Sequence, residues 1–170
     1  MLTRPRISKI RTGIALDAPP SEFDMPSDQI PFALTLPSDL RLLALARIFI
    51  ETACAALNFD VCFVESIQLA VHEALQNIIR HAYDGRADAL LEIQVIPREG
   101  GLEVRLLDEG KPFDVSAVPY LEPGEIRIGG RGVYLMRRLV DELASETRCP
   151  KGNILRLIKH HKPTIRRQLA

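Results

Sequence analysis

The chain has 170 residues, 46% of them hydrophobic and 26% charged, with 22 Lys+Arg balanced by 22 Asp+Glu. That length suits one domain able to bury its own core, or one domain and a tail. Zero formal net charge argues against a nucleic-acid binder working through a broad basic field, and against a polyacidic tail.

Six of the twelve prolines precede residue 38. Residues 1–28 carry four of them among scattered polar residues with no sustained period, and read as a flexible extension. The basic stretch Met1–Arg11 has no apolar core, so it is not read as a secretory signal. From Ile30, apolar residues alternate through Leu36, predicting an edge strand because Pro31 interrupts it. Pro37-Ser38-Asp39 then predicts a helix start with Ser38 as cap, continuing to about Leu57. Arg41, Arg47 and Glu51 break the apolar run Leu40–Phe59, which makes it an amphipathic helix and not a membrane span.

Asn58-Phe59-Asp60 interrupts the pattern, and a second helix is predicted from about Val61 to Ala82 on the spacing of Val64, Ile67, Val71, Ala74, Leu75 and Ile78. Leu91, Ile93 and Val95 and then Leu102, Val104 and Leu106 alternate with polar residues around Arg98-Glu99-Gly100-Gly101, predicting an antiparallel hairpin with one buried face. Residues 110–130 show little periodicity and much Pro and Gly, the mark of a long functional loop. Val133, Met136, Leu139, Val140 and Leu143 predict a third helix, and a strand pair near Ala144–Arg148 and Ile154–Lys159 closes the domain. The sum is an α+β two-layer sandwich, a mostly antiparallel sheet with three helices on one face. Cys54, Cys62 and Cys149 lack zinc-ligand spacing and read as reduced thiols of a cytoplasmic protein.

Three motifs carry chemistry. On the second helix, Glu73, Asn77 and His81 follow one another at i, i+4 and i+8. A carboxylate and a carboxamide one turn apart suit a general base and an oxygen ligand for Mg²⁺, although a solvated helix face has the same spacing. Asp108, where the hairpin's second strand ends, is placed to accept a hydrogen bond from an exocyclic amine, with Gly110 leaving room for a flat ligand; an ordinary Asp-x-Gly turn looks alike. Gly129, Gly130 and Gly132 run into the third helix, where bare N–H groups and the helix dipole favour an anion and Arg131 adds charge; a glycine-rich hinge is the plain alternative. The run matches neither the lysine-containing phosphate loop nor a Rossmann turn.

The order of the three is more specific than any one of them. Glu73-Ala74-Leu75-Gln76-Asn77-Ile78-Ile79-Arg80-His81-Ala82-Tyr83 resembles the N box of the GHKL ATPases. Asp108-Glu109-Gly110-Lys111-Pro112-Phe113-Asp114 resembles their first glycine box, and Gly129-Gly130-Arg131-Gly132-Val133-Tyr134-Leu135-Met136 their second. The form of the first box and the short chain are similar to the anti-sigma factor serine/threonine kinases, the switch-protein kinases of that superfamily. The resemblance implies an ATP-binding kinase domain of Bergerat fold over 29–162, followed by a tail over 163–170.

By the same resemblance, Glu73 would be the catalytic base, and Asn77 would ligate the Mg²⁺ of Mg-ATP. His81, Asp108, Gly110, Gly130, Arg131, Gly132 and Asn153 would complete the nucleotide site under a lid of about Lys111–Gly129. Arg47 would contact protein partners; a solvated surface arginine is the equal alternative. The implied partners are a sigma factor, which the protein would sequester, and an anti-anti-sigma antagonist, which it would phosphorylate on Ser or Thr. A homodimer is the assembly such kinases often form, and neither direct nucleic-acid nor membrane contact is expected. One departure stands out: where the family has Gly-Thr, this chain has Gly152-Asn153, which motivates an alternative reading as a nucleotide-gated binding module with little catalysis. A histidine-kinase catalytic domain fits less well, because residues 1–29 are too short and proline-rich for a phosphoacceptor hairpin.

Overall fold

Leu91, Ile93 and Val95 of one run and Leu102, Val104 and Leu106 of the next are buried together on one face of a hairpin, as their alternation predicts. The computed structural model describes residues 32–119, 131–148 and 151–161. In chain order the elements are β1 (Phe32–Pro37), α1 (Leu43–Ala56), α2 (Val61–Asn77), β2 (Leu90–Arg98), β3 (Gly101–Asp108), α3 (Arg131–Leu139), β4 (Glu142–Thr147) and β5 (Asn153–His160). The strands form one sheet of order β1-β2-β3-β5-β4, every pairing antiparallel. The inward face of the sheet and the apolar sides of the three helices share a single core that includes Ile50, Ile67, Val71, Met136 and Leu157. The predicted two-layer α+β sandwich is therefore what the chain forms.

Helix α1 ends where Asn58 takes a left-handed conformation, φ 59, which asparagine tolerates better than most residues. Asp60 then caps α2 by accepting the Phe63 backbone N–H at 2.9 Å. The Gln68 amide donates to the Arg47 carbonyl at 3.0 Å and so ties α2 to α1. Among the described residues, no helix is long and apolar enough to cross a membrane.

Three local readings are corrected. The third helix ends at Leu139, before Val140, and Leu143, read as part of it, lies in β4. The first helix opens with a 3-10 turn, Leu40–Leu42, whose cap is Asp39 and not Ser38. Ser38 is instead fully buried, its backbone N–H donating to Ala89 O at 2.7 Å and its hydroxyl to Arg86 O at 2.5 Å. The second helix does not run as one α-helix to Ala82. It ends at Asn77 and continues as a π turn over Ile78–Ala82, a widened geometry that often marks functional positions. The extension 1–28, Pro31, Gly129, Gly130, Cys149 and the tail 163–170 lie outside the described residues, as does the part of the proposed lid beyond Pro119.

Candidate active site

Between α2 with its π turn and the ends of β3, β4 and β5 lies a cavity with about 470 Å³ of empty space, its open mouth included. Asn77, His81, Asp108 and Asn153, far apart in sequence, all line it. Glu73 and Gly132 join at the Asn77 end. A Cβ built on Gly132 would lie 2.9 Å from Asn77 Nδ2 and 3.1 Å from Glu73 Oε2, so only a glycine lets the start of α3 approach these two side chains without displacing them.

Neither Glu73 nor Asn77 has a side-chain hydrogen bond or ion pair among the described residues, although both are only partly exposed. Polar groups held this way beside a cavity are free to serve a ligand. Arg131 opens α3 as an exposed cation beside the positive end of the helix dipole.

Asp108 closes the other end. It is 4% exposed. Its Oδ1 accepts the Gly110 backbone N–H at 2.8 Å and the Asn153 amide at 2.9 Å, whereas Oδ2 has no partner among the described residues. Gly110 packs so tightly on the π turn that a Cβ there would lie 2.6 Å from Ala82 Cβ, and the next residue, Lys111, donates its backbone N–H to Ala82 O at 2.9 Å. Gly110 lines a neighbouring cavity of about 930 Å³ and not the one that holds Asp108. It donates its N–H to Asp108 and brings the chain against the π turn.

Tyr83 was quoted as the last residue of the first motif but assigned no task. Its hydroxyl donates to Leu90 O at 2.6 Å and accepts Glu109 N–H at 2.8 Å, which pins the π turn to the strand end that carries Asp108. Burial raises its pKa, partly offset by the Glu109 hydrogen bond, so the phenol stays protonated. The cavity also uses Lys111, Phe113, Met136 and Ser145. Lys111, Phe113 and Met136 all lie inside the motifs named above, Met136 also as an apolar helix position. Nothing in the sequence marks Ser145. Arg47 stands apart from the cavity on the exposed side of α1, its guanidinium without a partner among the described residues.

These residues fit Mg-ATP. Asp108 offers a free oxygen for an amine in an otherwise apolar pocket, and the α3 N-terminus meets Asn77 with space only where Gly132 lacks a side chain. Among the described residues no cluster of three or more His, Cys, Asp or Glu could cage a metal. An amide oxygen beside the glycine-opened N-terminus of α3 would suit Mg²⁺, which keeps its waters and takes most ligands from a nucleotide.

Comparison with known proteins gives the family. A family model described as the histidine kinase-like ATPase domain matches residues 36–159. The serine-protein kinase RsbW of Listeria monocytogenes serotype 4a is 32% identical over 119 residues, covering 65% of this chain and 75% of that protein. The anti-sigma F factor of Clostridium botulinum strain Alaska E43 is 27% identical over 120 residues, covering 68% and 84%. A crystal structure of the RsbU and RsbW domains of Rv1364c from Mycobacterium tuberculosis superposes with a TM-score of 0.54 at 15% identity, over 76% of this chain and 32% of that one, a likeness of fold alone. With its three boxes gathered around one cavity and the family model spanning most of its length, the chain belongs to the histidine kinase-like ATPase family, in the branch of the RsbW serine-protein kinases and anti-sigma F factors.

Proposed function

We propose that this protein binds Mg-ATP in the Asn77–Asp108 cavity and phosphorylates a serine or threonine of an anti-anti-sigma antagonist, and that it sequesters a sigma factor when the antagonist is absent. The observation that carries the reading is the pair Glu73 and Asn77, one turn apart beside Gly132 and without partners among the described residues. Bound Mg-ATP supplies the transferable phosphoryl group and a cation that neutralises its charge.

The chain's own residues do the rest. Asp108 Oδ2 accepts a hydrogen bond from the adenine amine and orients the base. The Asn77 amide oxygen would hold Mg²⁺. Gly132, the bare N–H groups at the start of α3 and Arg131 cradle the phosphates. Glu73 would take the proton from the attacking hydroxyl as the hydroxyl oxygen bonds to the γ-phosphorus and the phosphorus–oxygen bond to ADP, the leaving group, breaks. Gly130 and His81 complete this set, His81 from the cavity wall. The domain of residues 29–162 acts in the cytoplasm, and size-exclusion chromatography distinguishes a monomer from a homodimer.

Away from the cavity lining, Arg47 sits between Leu45 and Ile48 on α1, which are 49% and 59% exposed. An unpaired cation flanked by exposed apolar side chains is a surface suited to a protein partner that supplies a carboxylate and an apolar contact.

The test is incubation of the purified chain with its antagonist and γ-labelled Mg-ATP. Label on an antagonist serine or threonine supports the reading. Partner release that depends on nucleotide, without label transfer by the wild type, replaces it with a nucleotide-gated binding module.

A further inference from the structure

Asp108 and Asn153 are directly opposite each other in the last pair of the β3–β5 ladder, which puts their side chains next to one another on the cavity face. The Asn153 Nδ2 lies 2.9 Å from Asp108 Oδ1, 3.2 Å from Gly110 O and 3.4 Å from Lys111 O. All three neighbours are acceptors. Turning the amide over would set its carbonyl oxygen against a carboxylate and two carbonyls, so the orientation is settled by chemistry. Both amide hydrogens are thereby used within the protein, at a residue 8% exposed, and none remains for a ligand.

With the Gly110 N–H, Asn153 saturates Asp108 Oδ1. The carboxylate cannot turn without breaking two hydrogen bonds in a buried setting. Its other oxygen, Oδ2, has no partner among the described residues. Resting on the nucleotide reading above, we infer that Asn153 is a positioning residue for base selectivity, acting by locking the Asp108 carboxylate so that one fixed acceptor faces the purine. A fixed, accept-only oxygen favours an amino group at the purine 6-position. It repels a keto oxygen there, because two acceptors cannot share a proton that neither carries. If the lock is removed, the carboxylate rotates and the direction of that oxygen is no longer set.

The experiment compares Mg-ATP with Mg-ITP, which has a keto group in place of the amine, by calorimetry on the full chain. The variants are Asn153→Thr and Asn153→Val, which have nearly the same shape and differ in one donor. Wild type prefers ATP. Asn153→Val loses that preference by about tenfold, the worth of a hydrogen bond to a charged group, through weaker ATP binding with ITP binding nearly unchanged. Asn153→Thr, keeping one hydroxyl for Asp108 Oδ1, retains most of the preference. A purely structural Asn153 would weaken both nucleotides in proportion in both variants, and that result, or full preference in Asn153→Val, overturns the inference alone. Wild type that binds neither nucleotide overturns the nucleotide reading together with it.

Discussion

Gly132 faces Asn77 at a distance that leaves no room for a β-carbon, which would lie 2.9 Å from the Asn77 amide nitrogen and 3.2 Å from its oxygen. A methyl group there displaces the amide oxygen that would hold Mg²⁺ and crowds Glu73. Gly132→Ala therefore lowers nucleotide affinity by about tenfold or more, while the fold is spared, because alanine within a helix gains up to about 1 kcal/mol over glycine. Calorimetry with Mg-ATP and thermal melting without nucleotide check the two halves. A large fall in melting temperature with unchanged affinity would contradict the assignment.

Under the proposed function, Glu73 carries the chemical step and not the binding. Glu73→Gln keeps the size of the side chain and one acceptor oxygen but cannot take a proton. Phosphoryl transfer to the antagonist drops by roughly 10²–10⁴, with nucleotide affinity within about threefold of wild type. Single-turnover transfer at saturating Mg-ATP measures the first number and nucleotide titration the second. Loss of both together would make Glu73 a binding residue.

The Arg137 guanidinium, on α3, donates to Val118 O at 2.9 Å and to Val115 O at 2.6 Å. Val115 is buried and its N–H goes to Ser145 Oγ at 3.1 Å. Helix α3 is thus tied to the chain leaving Asp108, close to the cavity residues Phe113 and Ser145. Arg137→Ala leaves two carbonyls without their cationic donor and costs about 2 kcal/mol of stability, read in urea melts. Because the tie joins both halves of the cavity, KM for ATP rises as well. A variant with normal KM and lowered stability would confine Arg137 to the fold.

What the sequence disclosed follows from the range of the signals. Period-two and period-3.6 patterns are local, so the β2–β3 hairpin, α2 and the general architecture were legible from Leu91, Val104 or Val71 and their neighbours. The three boxes were legible too, since each is contiguous. The π turn was not: the residues Ile78–Ala82 keep a helical pattern, which does not show that Tyr83 N–H reaches back five residues to Ile78 O or that the distant Lys111 N–H takes the Ala82 carbonyl. Ser38 looked like a cap because Ser is a good one, yet a partner nearly fifty residues away, Arg86 O, claimed its hydroxyl, and Asp39 capped instead. Ser145, Arg137 and the three-acceptor seat of Asn153 are all contacts across the chain, and composition or spacing has no way to show them.

Glu103 gives the fold a defined acid limit. It lies on the outer sheet face with its side chain fully buried, and accepts Arg105 Nε at 2.7 Å, Arg156 Nε at 2.9 Å and Arg98 Nε at 2.7 Å. Burial pushes its carboxyl up, but the hydrogen bonds from Arg156, Arg105 and Arg98 together outweigh that and bring it down to about 2 from 4.5. A carboxylate with a depressed folded pKa contributes its stability in full above the unfolded value. That contribution is lost as the pH falls from about 4.5 toward about 2, and it amounts to about 3 kcal/mol. Glu103→Gln removes the charge, takes the carboxylate from Arg98 and Arg105 and leaves Arg156 with Glu146 alone. It lowers stability at neutral pH by about 3 kcal/mol, and it removes Glu103's share of the decline that the wild type shows below pH 4.5. Urea melts of both proteins at pH 7, 4.5 and 3 measure the effect, since other acidic groups contribute alike to each. Parallel curves for the two proteins would mean that the arginine cage does not hold Glu103 ionised.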